Sequence, residues 1–154
     1  MPDSRLPENL QLVLAENISR DAKAVRITES IRAAGGWRWV GIYDVDLQRG
    51  LVSNVAWSGA GAPAYPVFPV SRGLTSRAIA SRTTINIGDV NADADYLTAL
   101  GDTRSEIIVP VLDDDGEQVL GTIDVESSKT DAFDAATQAL LEECARLLRP
   151  FWQS

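Results

Sequence analysis

Apolar residues recur with the period of a helix over the first part of the chain. The pattern predicts helix from about Pro7 to Ala34, either continuous or broken near Ser19. Its apolar stripes are Leu10, Leu14 and Ile18 on one face, and Ala24, Ile27, Ile31 and Ala34 on another. Gly35 and Gly36 follow, and glycine readily adopts the left-handed conformation that ends a helix. We therefore expect an N-terminal helical extension over about residues 7–34.

A second amphipathic stretch closes the chain. It predicts a helix from about Ala135 to Phe151, with Asp134 placed to cap the first free N–H groups. The apolar stripe consists of Leu140, Leu141, Cys144, Leu147, Leu148 and Phe151.

Short runs typical of strands lie between these helices. The expected strands cover residues 37–45, 51–58, 67–70, 84–87, 107–112 and 118–125. A short helix is expected at 73–81, and the polar residues 88–103 predict loop with some helix. Turn residues at 46–50 and 113–116 join two strand pairs into hairpins. This order predicts an α+β fold with a mainly antiparallel sheet of about six strands and the N- and C-terminal helices on one face.

Side chains alternate across a strand, so each strand divides into two faces. The aliphatic face carries Val40, Ile42, Ile107, Val109, Val111, Val119, Ile123 and Val125, and suits packing beneath the terminal helices. The other, mixed face carries Trp39, Tyr43, Glu106, Ile108, Pro110, Leu120, Thr122, Asp124 and Glu126. Solvent exposure is one explanation of the mixed face, because antiparallel sheets often leave one side wet. Its large apolar side chains favour a pocket covered by the middle segment, residues 58–103.

Composition narrows the function. The 154 residues fit a single domain spanning 1–154, and 22 acidic against 14 basic residues give a net charge of −8. We expect no nucleic-acid or membrane partner, since a phosphate-rich surface would be repelled. No long apolar run or signal-peptide pattern is present, so a cytoplasmic location is expected.

Two residue types are scarce. The chain has no histidine and one cysteine, Cys144. Catalysis by Ser–His or Cys–His pairs, His-ligated metal sites and disulfide cycles within the chain are therefore excluded. We expect no catalytic residue, no metal and no cofactor. Cys144 itself is interpreted as a small hydrophobic residue.

Several short segments, taken in order, resemble the GAF family. They are Trp39–Tyr43, Gly73–Ala78, Asp89–Val90 with Tyr96, Ser105–Pro110, Gly121–Ser127 and Phe133–Asp134. The resemblance covers about residues 18–148 and implies a GAF-like sheet with a pocket covered by loops and a helix.

Within that family the pattern is most similar to the free methionine-R-sulfoxide reductases. The positions that match the cysteines of those enzymes are Tyr65, Thr75 and Ala99, none of which carries sulfur. The pocket side chains of those enzymes match Trp39, Glu106, Asp124 and Glu126. The resemblance implies a retained pocket for an amino-acid-like molecule and an absent redox step.

We therefore predict a small-molecule site formed by Trp39, Tyr43, Tyr96, Glu106, Asp124 and Glu126. If the acids converge, either a cationic group such as an α-ammonium offsets their repulsion, or one of them takes up a proton. Structural carboxylates bonded to backbone or arginine are the alternative. Arg77 and Arg104 flank the expected pocket and would pair with its acids or with a ligand carboxylate.

The stretch Asp89–Asp95 has an oxygen ligand at every second position, as calcium loops do. Ala94 and Leu100 stand where the helix–loop–helix calcium motif has Gly and Glu, so a solvated loop is favoured.

These residues are compatible with three functions. The first is a stand-alone GAF sensor domain that binds a polar metabolite such as an amino acid, with signalling or regulatory output. The second is a divergent free methionine-R-sulfoxide reductase. The third is a homodimerisation module with a vestigial pocket, paired through the terminal helices.

Overall fold

The N-terminal extension consists of two helices. A computed structural model describes residues 1–96 and 101–154, and places α1 at Leu6–Ala15 and α2 at Arg20–Gly35. The Ser19 side chain accepts a hydrogen bond from the N–H of Ala22 at 3.1 Å and caps α2, so the helical extension is broken at Ser19. Gly36, at φ +62°, ends α2 in the left-handed conformation. The predicted stripe is wrong at Ile18, which lies between the helices and is 37% exposed.

The C-terminal segment is also broken. Helix α4 covers Ala135–Leu147 and α5 covers Arg149–Gln153, so the prediction of one helix to Phe151 is wrong. Pro150 lacks the N–H that would continue the hydrogen-bond ladder of α4. The cap is confirmed, since Asp134 Oδ1 accepts from the N–H of Thr137 at 2.8 Å.

The middle of the chain supplies the strands and a short helix. They are β1 Trp39–Asp46, β2 Leu51–Gly59, β3 Val67–Pro69, α3 Gly73–Ser81, β4 Ile85–Ile87, a 3₁₀ turn Val90–Ala92, β5 Ser105–Leu112 and β6 Val119–Ser127. The six strands form one sheet in the order β3-β2-β1-β6-β5-β4, and neighbours are antiparallel. The α+β architecture with six antiparallel strands is confirmed.

Strand ends differ from the prediction at one end of the β5–β6 pair. β5 begins two residues earlier than expected, and β6 ends two residues later. The added residues pair with one another, Ser105 opposite Ser127 and Glu106 opposite Glu126. β1 begins at Trp39, and Trp37 instead packs its ring against Phe133, with ring centroids 5.7 Å apart.

The two faces of the sheet pack differently. The aliphatic face and the four terminal helices form the main core, which includes Val40, Ile42, Ile107, Val109, Val111, Ile123, Val125, Leu141, Cys144, Leu148 and Phe151. The mixed face is covered too. Trp39 and Tyr43 pack with Val52 and Phe68, and Ile108 packs with Leu74 and Ala78 of α3.

Two further features bear on surfaces. In the part of the chain that the structure describes, no helix has the length and apolar character needed to span a bilayer. Leu10, Leu148 and Phe151, on the apolar stripes of the terminal helices, pack within the core of their own chain. A homodimer through the terminal helices stays a prediction.

Candidate acidic binding site

Three carboxylates meet beneath the cover of the mixed face. Glu106 comes from β5, and Asp124 and Glu126 come from β6. One oxygen of each lies within 4.8 Å of the others. Their exposed fractions are 3%, 6% and 0%, so the group is buried. We call these three residues the acid triad.

Strand geometry explains how the triad forms. Asp124 and Glu126 are two positions apart on β6 and therefore share a face. Glu106 lies directly opposite Glu126 across the β5–β6 pair. Like charges at directly opposed positions destabilise a sheet. The arrangement therefore works against folding unless protons or a cation neutralise it.

Burial and mutual repulsion shift the pKa of each acid upward. Burial, then the charge of Asp124, raises the pKa of Glu106 well above its usual range. Burial raises the pKa of Asp124 to about 6, against a hydrogen bond from Glu106 that lowers it. Burial, then the charge of Asp124, raises the pKa of Glu126 to about 8. The triad therefore retains protons near neutral pH, and protonated Glu106 donates a hydrogen bond to Asp124.

The triad has more hydrogen-bond acceptors than its described neighbours use. Glu126 Oε1 accepts from the hydroxyls of Thr103 at 2.6 Å and Tyr96 at 3.3 Å. Among the described residues, Glu126 Oε2, Asp124 Oδ1 and the hydroxyl of Thr122 are buried with no hydrogen-bond partner. Burying such groups without partners is unfavourable, by about 1–3 kcal/mol each. The described chain therefore leaves three buried polar atoms of this cluster unsatisfied.

Aromatic rings form the walls next to the acids. The Trp39 indole lies across Gly41, where a Cβ would overlap the ring, and its Nε1 donates to the carbonyl of Gly61 at 2.9 Å. Tyr43 meets Phe68 edge to face, with ring centroids 5.8 Å apart. Burial, then the charges of the triad, raises the pKa of Tyr43, so the phenol stays neutral. Two aromatic rings thus lie on the same face of the sheet as the three buried acids.

The positive charge of Arg38 acts on the acid triad. Its charge lowers the pKa of Glu126, although burial and Asp124 outweigh it. Its Nε lies 2.6 Å from Asp102 Oδ1, so much of its charge is already neutralised. Arg38 is not placed to balance three carboxylates by itself.

The structure brings all six predicted site residues to one face of the sheet. Trp39, Tyr43 and the triad come from strands, and Tyr96 reaches Glu126 from the covering segment. Whether they bind a ligand stays a prediction. Thr103 and Thr122 were missed as site residues. Strand alternation alone would have found Thr122, whereas nothing in the local pattern marks Thr103.

The flanking arginines do not pair with the triad. Arg77 Nη1 pairs with Asp93 at 2.7 Å and with Asp95 at 3.7 Å, and Arg104 is exposed. Asp89 Oδ1 and Asp93 Oδ1 accept from backbone N–H groups two residues ahead, as in ordinary turns. Leu100, the twelfth position of the calcium pattern, lies outside the described residues.

The single thiol lies on the opposite side of the sheet. Cys144 is fully buried in the core beneath the helices, and burial raises its pKa to about 12. Of the positions matched to cysteines in the reductases, Tyr65 is exposed and Thr75 is buried in the first turn of α3. Ala99 lies outside the described residues. No sulfur of the described chain therefore faces the triad.

The carboxylate oxygens of the triad could coordinate a hard metal ion as well as accept hydrogen bonds from an ammonium group. Three carboxylates are fewer ligands than the 6–8 oxygens that calcium takes. The expectation that the site holds no metal stays a prediction.

This architecture is similar to that of several known proteins. A structure of the free methionine-R-sulfoxide reductase of Neisseria meningitidis with its substrate superimposes with a TM-score of 0.84 at 30% identity, covering 96% of this chain and 86% of that one. The free methionine-R-sulfoxide reductase of Saccharomyces cerevisiae is 31% identical over 88 residues, 57% of this chain and 48% of that protein, so the match spans about half of the yeast enzyme. GAF domain-containing protein A of Dictyostelium discoideum is 25% identical over 146 residues, 95% of this chain and 89% of that protein. The family model of the GAF domain matches residues 19–149, and the chain belongs to the GAF domain family.

Proposed function

We propose that this GAF domain binds a free amino acid, with the α-ammonium group held by the acid triad. The observation that carries the proposal is the set of buried acceptors without partners on Thr122, Asp124 and Glu126. An ammonium group offers three N–H donors and one positive charge. It would satisfy those acceptors and offset the repulsion among the three carboxylates in one step.

The relatives support a particular class of amino acid. The reductases of yeast and Neisseria are named for free methionine-R-sulfoxide, and the Neisseria structure holds its substrate. The walls formed by Trp39 and Tyr43 suit the apolar stem of such a side chain. Methionine and its sulfoxide are therefore the first ligands to test.

The residues of this chain favour binding of the ligand without its reduction. Reduction of a sulfoxide to a thioether consumes two electrons and two protons and releases water. In a thiol mechanism a thiolate attacks the sulfoxide sulfur, and the two electrons come from that thiol and a second thiol, which end joined as a disulfide. Cys144 is buried on the far side of the sheet with a raised pKa, so it does not serve as that nucleophile. We therefore propose a receptor with a regulatory output.

Calorimetric titration tests the proposal. The panel contains L-methionine, both epimers of its sulfoxide, and N-acetylmethionine, which lacks the ammonium. We expect saturable binding of at least one free amino acid and none of the acetylated compound. Asp124→Asn and Glu106→Gln should each weaken binding by more than tenfold, whereas Glu117→Gln, an exposed acid of the β5–β6 hairpin, leaves it unchanged. Equal binding of the acetylated compound, or of all variants, would refute the ammonium site.

A second titration tests whether the acid triad binds a metal ion instead of an ammonium group. Calcium and magnesium are titrated with and without the amino acid. Tight metal binding that is lost in Asp124→Asn would identify a metal ion as the ligand of the triad, provided that no amino acid binds. That result would replace the ammonium proposal.

Reductase activity is the second candidate, because the relatives include enzymes with that name. It is tested by thioredoxin-linked consumption of NADPH with the free sulfoxide. We expect no turnover above a protein-free control. Turnover that disappears in Cys144→Ser would overturn the receptor proposal, and turnover that survives it would require a route without cysteine.

A further inference from the structure

A concave region lies beyond the start of β1 and the end of β6, and none of the three triad acids lines it. It is a cleft of about 490 Å³ between the C-terminal end of α2 and the N-terminal end of α4. Three cationic side chains line it, Arg32, Arg38 and Lys129. The hydroxyl residues Ser127, Ser128 and Thr137 line it as well. We call it the basic cleft.

The fold brings these cations together from three elements. Arg32 lies in the last turn of α2, and Arg38 directly precedes β1. Because Trp39 pairs with Glu126, Arg38 lies beside the end of β6 and the residues that follow it. Lys129 belongs to that following turn. Residues far apart in the sequence thus present positive charge to one cleft.

Hydrogen bonds hold the backbone of the cleft in place. The Ser105 hydroxyl donates to the carbonyl of Lys129 at 2.6 Å and accepts from the N–H of Ala132 at 3.4 Å. Arg32 Nε donates to the carbonyl of Arg38 at 3.3 Å. Hydrogen bonds therefore hold the backbone at Arg38 and Lys129, and the Lys129 side chain is exposed.

Two acids bear on the cleft, and each is already engaged. Asp134 lines it, but its carboxylate caps α4, and hydrogen bonds to Thr137 lower its pKa. Asp102 pairs with Arg38 at 2.6 Å. In the described chain neither Arg32 nor Lys129 has an acidic partner within ion-pair distance. Positive charge therefore exceeds negative charge here, on a protein whose net charge is −8.

The chemistry of the lining indicates which anion would fit. Arginine and lysine with adjacent hydroxyls are donors that proteins use for phosphate groups. Asp134 already caps the N-terminal end of α4, so the cationic side chains are the main donors left for an anion. A monoanion such as chloride or acetate would leave most of these donors unused.

We propose that the basic cleft is a second ligand site, for a phosphate group either free or carried by a small organic molecule. The site lies outside the acid triad and does not depend on the amino-acid proposal. It would allow an anionic metabolite to act on the domain separately from the ligand of the triad.

The test uses the full chain with inorganic phosphate and a simple phosphomonoester such as glycerol phosphate. Binding is followed by ³¹P line broadening and calorimetry at constant ionic strength. We expect saturable binding that weakens at least tenfold in Lys129→Gln and Arg32→Gln, and that Lys129→Arg retains. Arg49→Gln, which removes an exposed charge of the β1–β2 hairpin, should bind like the unmodified protein.

Two results would overturn the proposal. One is binding that fails to saturate or is equal in all these variants, which means general ionic screening only. The other is loss of binding in Lys129→Gln accompanied by an altered unfolding transition, with Lys129→Arg equally impaired. Glu106→Gln should leave phosphate binding unchanged, so a failed amino-acid site and a failed basic cleft are distinguished.

Discussion

The two faces of the sheet are both buried, yet they contribute to the protein in opposite ways. On the helix side Val40, Ile42 and Ile123 fill a continuous apolar core. On the other side Glu106, Asp124 and Glu126 bring three acids together beneath a cover. Apolar burial stabilises the fold in proportion to its area, whereas buried like charges oppose it. The comparison indicates that one face stabilises the fold, whereas the acids of the other face, where the candidate site lies, oppose it.

The largest effect is expected on the helix side. Ile123→Ala removes a fully buried side chain from the centre of the main core. Deletions of this kind cost about 2–5 kcal/mol, because transfer energy is lost and a cavity remains. Urea unfolding measures the change. Val67→Ala, at a position that is 54% exposed, is the control and should change the free energy of unfolding by less than about 0.5 kcal/mol.

On the mixed face, substitution of an acid of the triad should raise the free energy of unfolding instead of lowering it. Asp124→Asn keeps the shape of the side chain and removes a buried charge, so we expect stabilisation on the order of 1–3 kcal/mol above pH 7. The same variant should lose the amino-acid ligand. Destabilisation by Asp124→Asn would mean that the carboxylate supports the fold, and would remove the contrast between the faces.

The pH dependence of the free energy of unfolding tests the same contrast between the two faces. The pKa values of Asp124 and Glu126 are raised to about 6 and about 8, so the folded state binds more protons than the unfolded state from about pH 4 to about pH 8. The free energy of unfolding contributed by the triad therefore falls as pH rises through that window. Equilibrium unfolding at a series of pH values measures the fall, which Glu126→Gln should reduce. A flat profile in both proteins would contradict the pKa shifts.

Ligand binding should follow the opposite trend. An ammonium requires the carboxylates in their charged form, so affinity should increase between about pH 6 and pH 8 while the ligand stays protonated. Binding then releases protons, chiefly from Glu106 and Glu126. Calorimetry in two buffers of different ionisation enthalpy counts them. Affinity that is independent of pH would indicate that the triad is already charged in the free protein.

The thiol on the helix side gives a further test of the comparison. Cys144 should react with iodoacetamide far more slowly in the folded protein than in urea, since it is fully buried and its pKa is raised to about 12. Mass spectrometry of timed samples measures the rate. Rapid labelling of the folded chain would mean that the helix side opens and that the thiol is available for chemistry.

Much of the architecture was predictable from local patterns. The period of the apolar residues located the helices, and Ser19 and Asp134 marked two of their starts. Alternation along β1, β5 and β6 separated the aliphatic face from the acidic one correctly. The errors fell at element ends, at Ile18 and at Pro150, where one local feature overrides the periodic pattern.

The sequence by itself determined which residues share a face, because side-chain direction follows from the geometry of a single strand or helix. Only the tertiary structure decided that Glu106 stands opposite Glu126, that Thr103 bonds to Glu126, and that Arg32 and Lys129 share a cleft. These facts depend on register and on packing between elements distant in the chain. Such pairings are set by the whole fold, and local periodicity does not encode them.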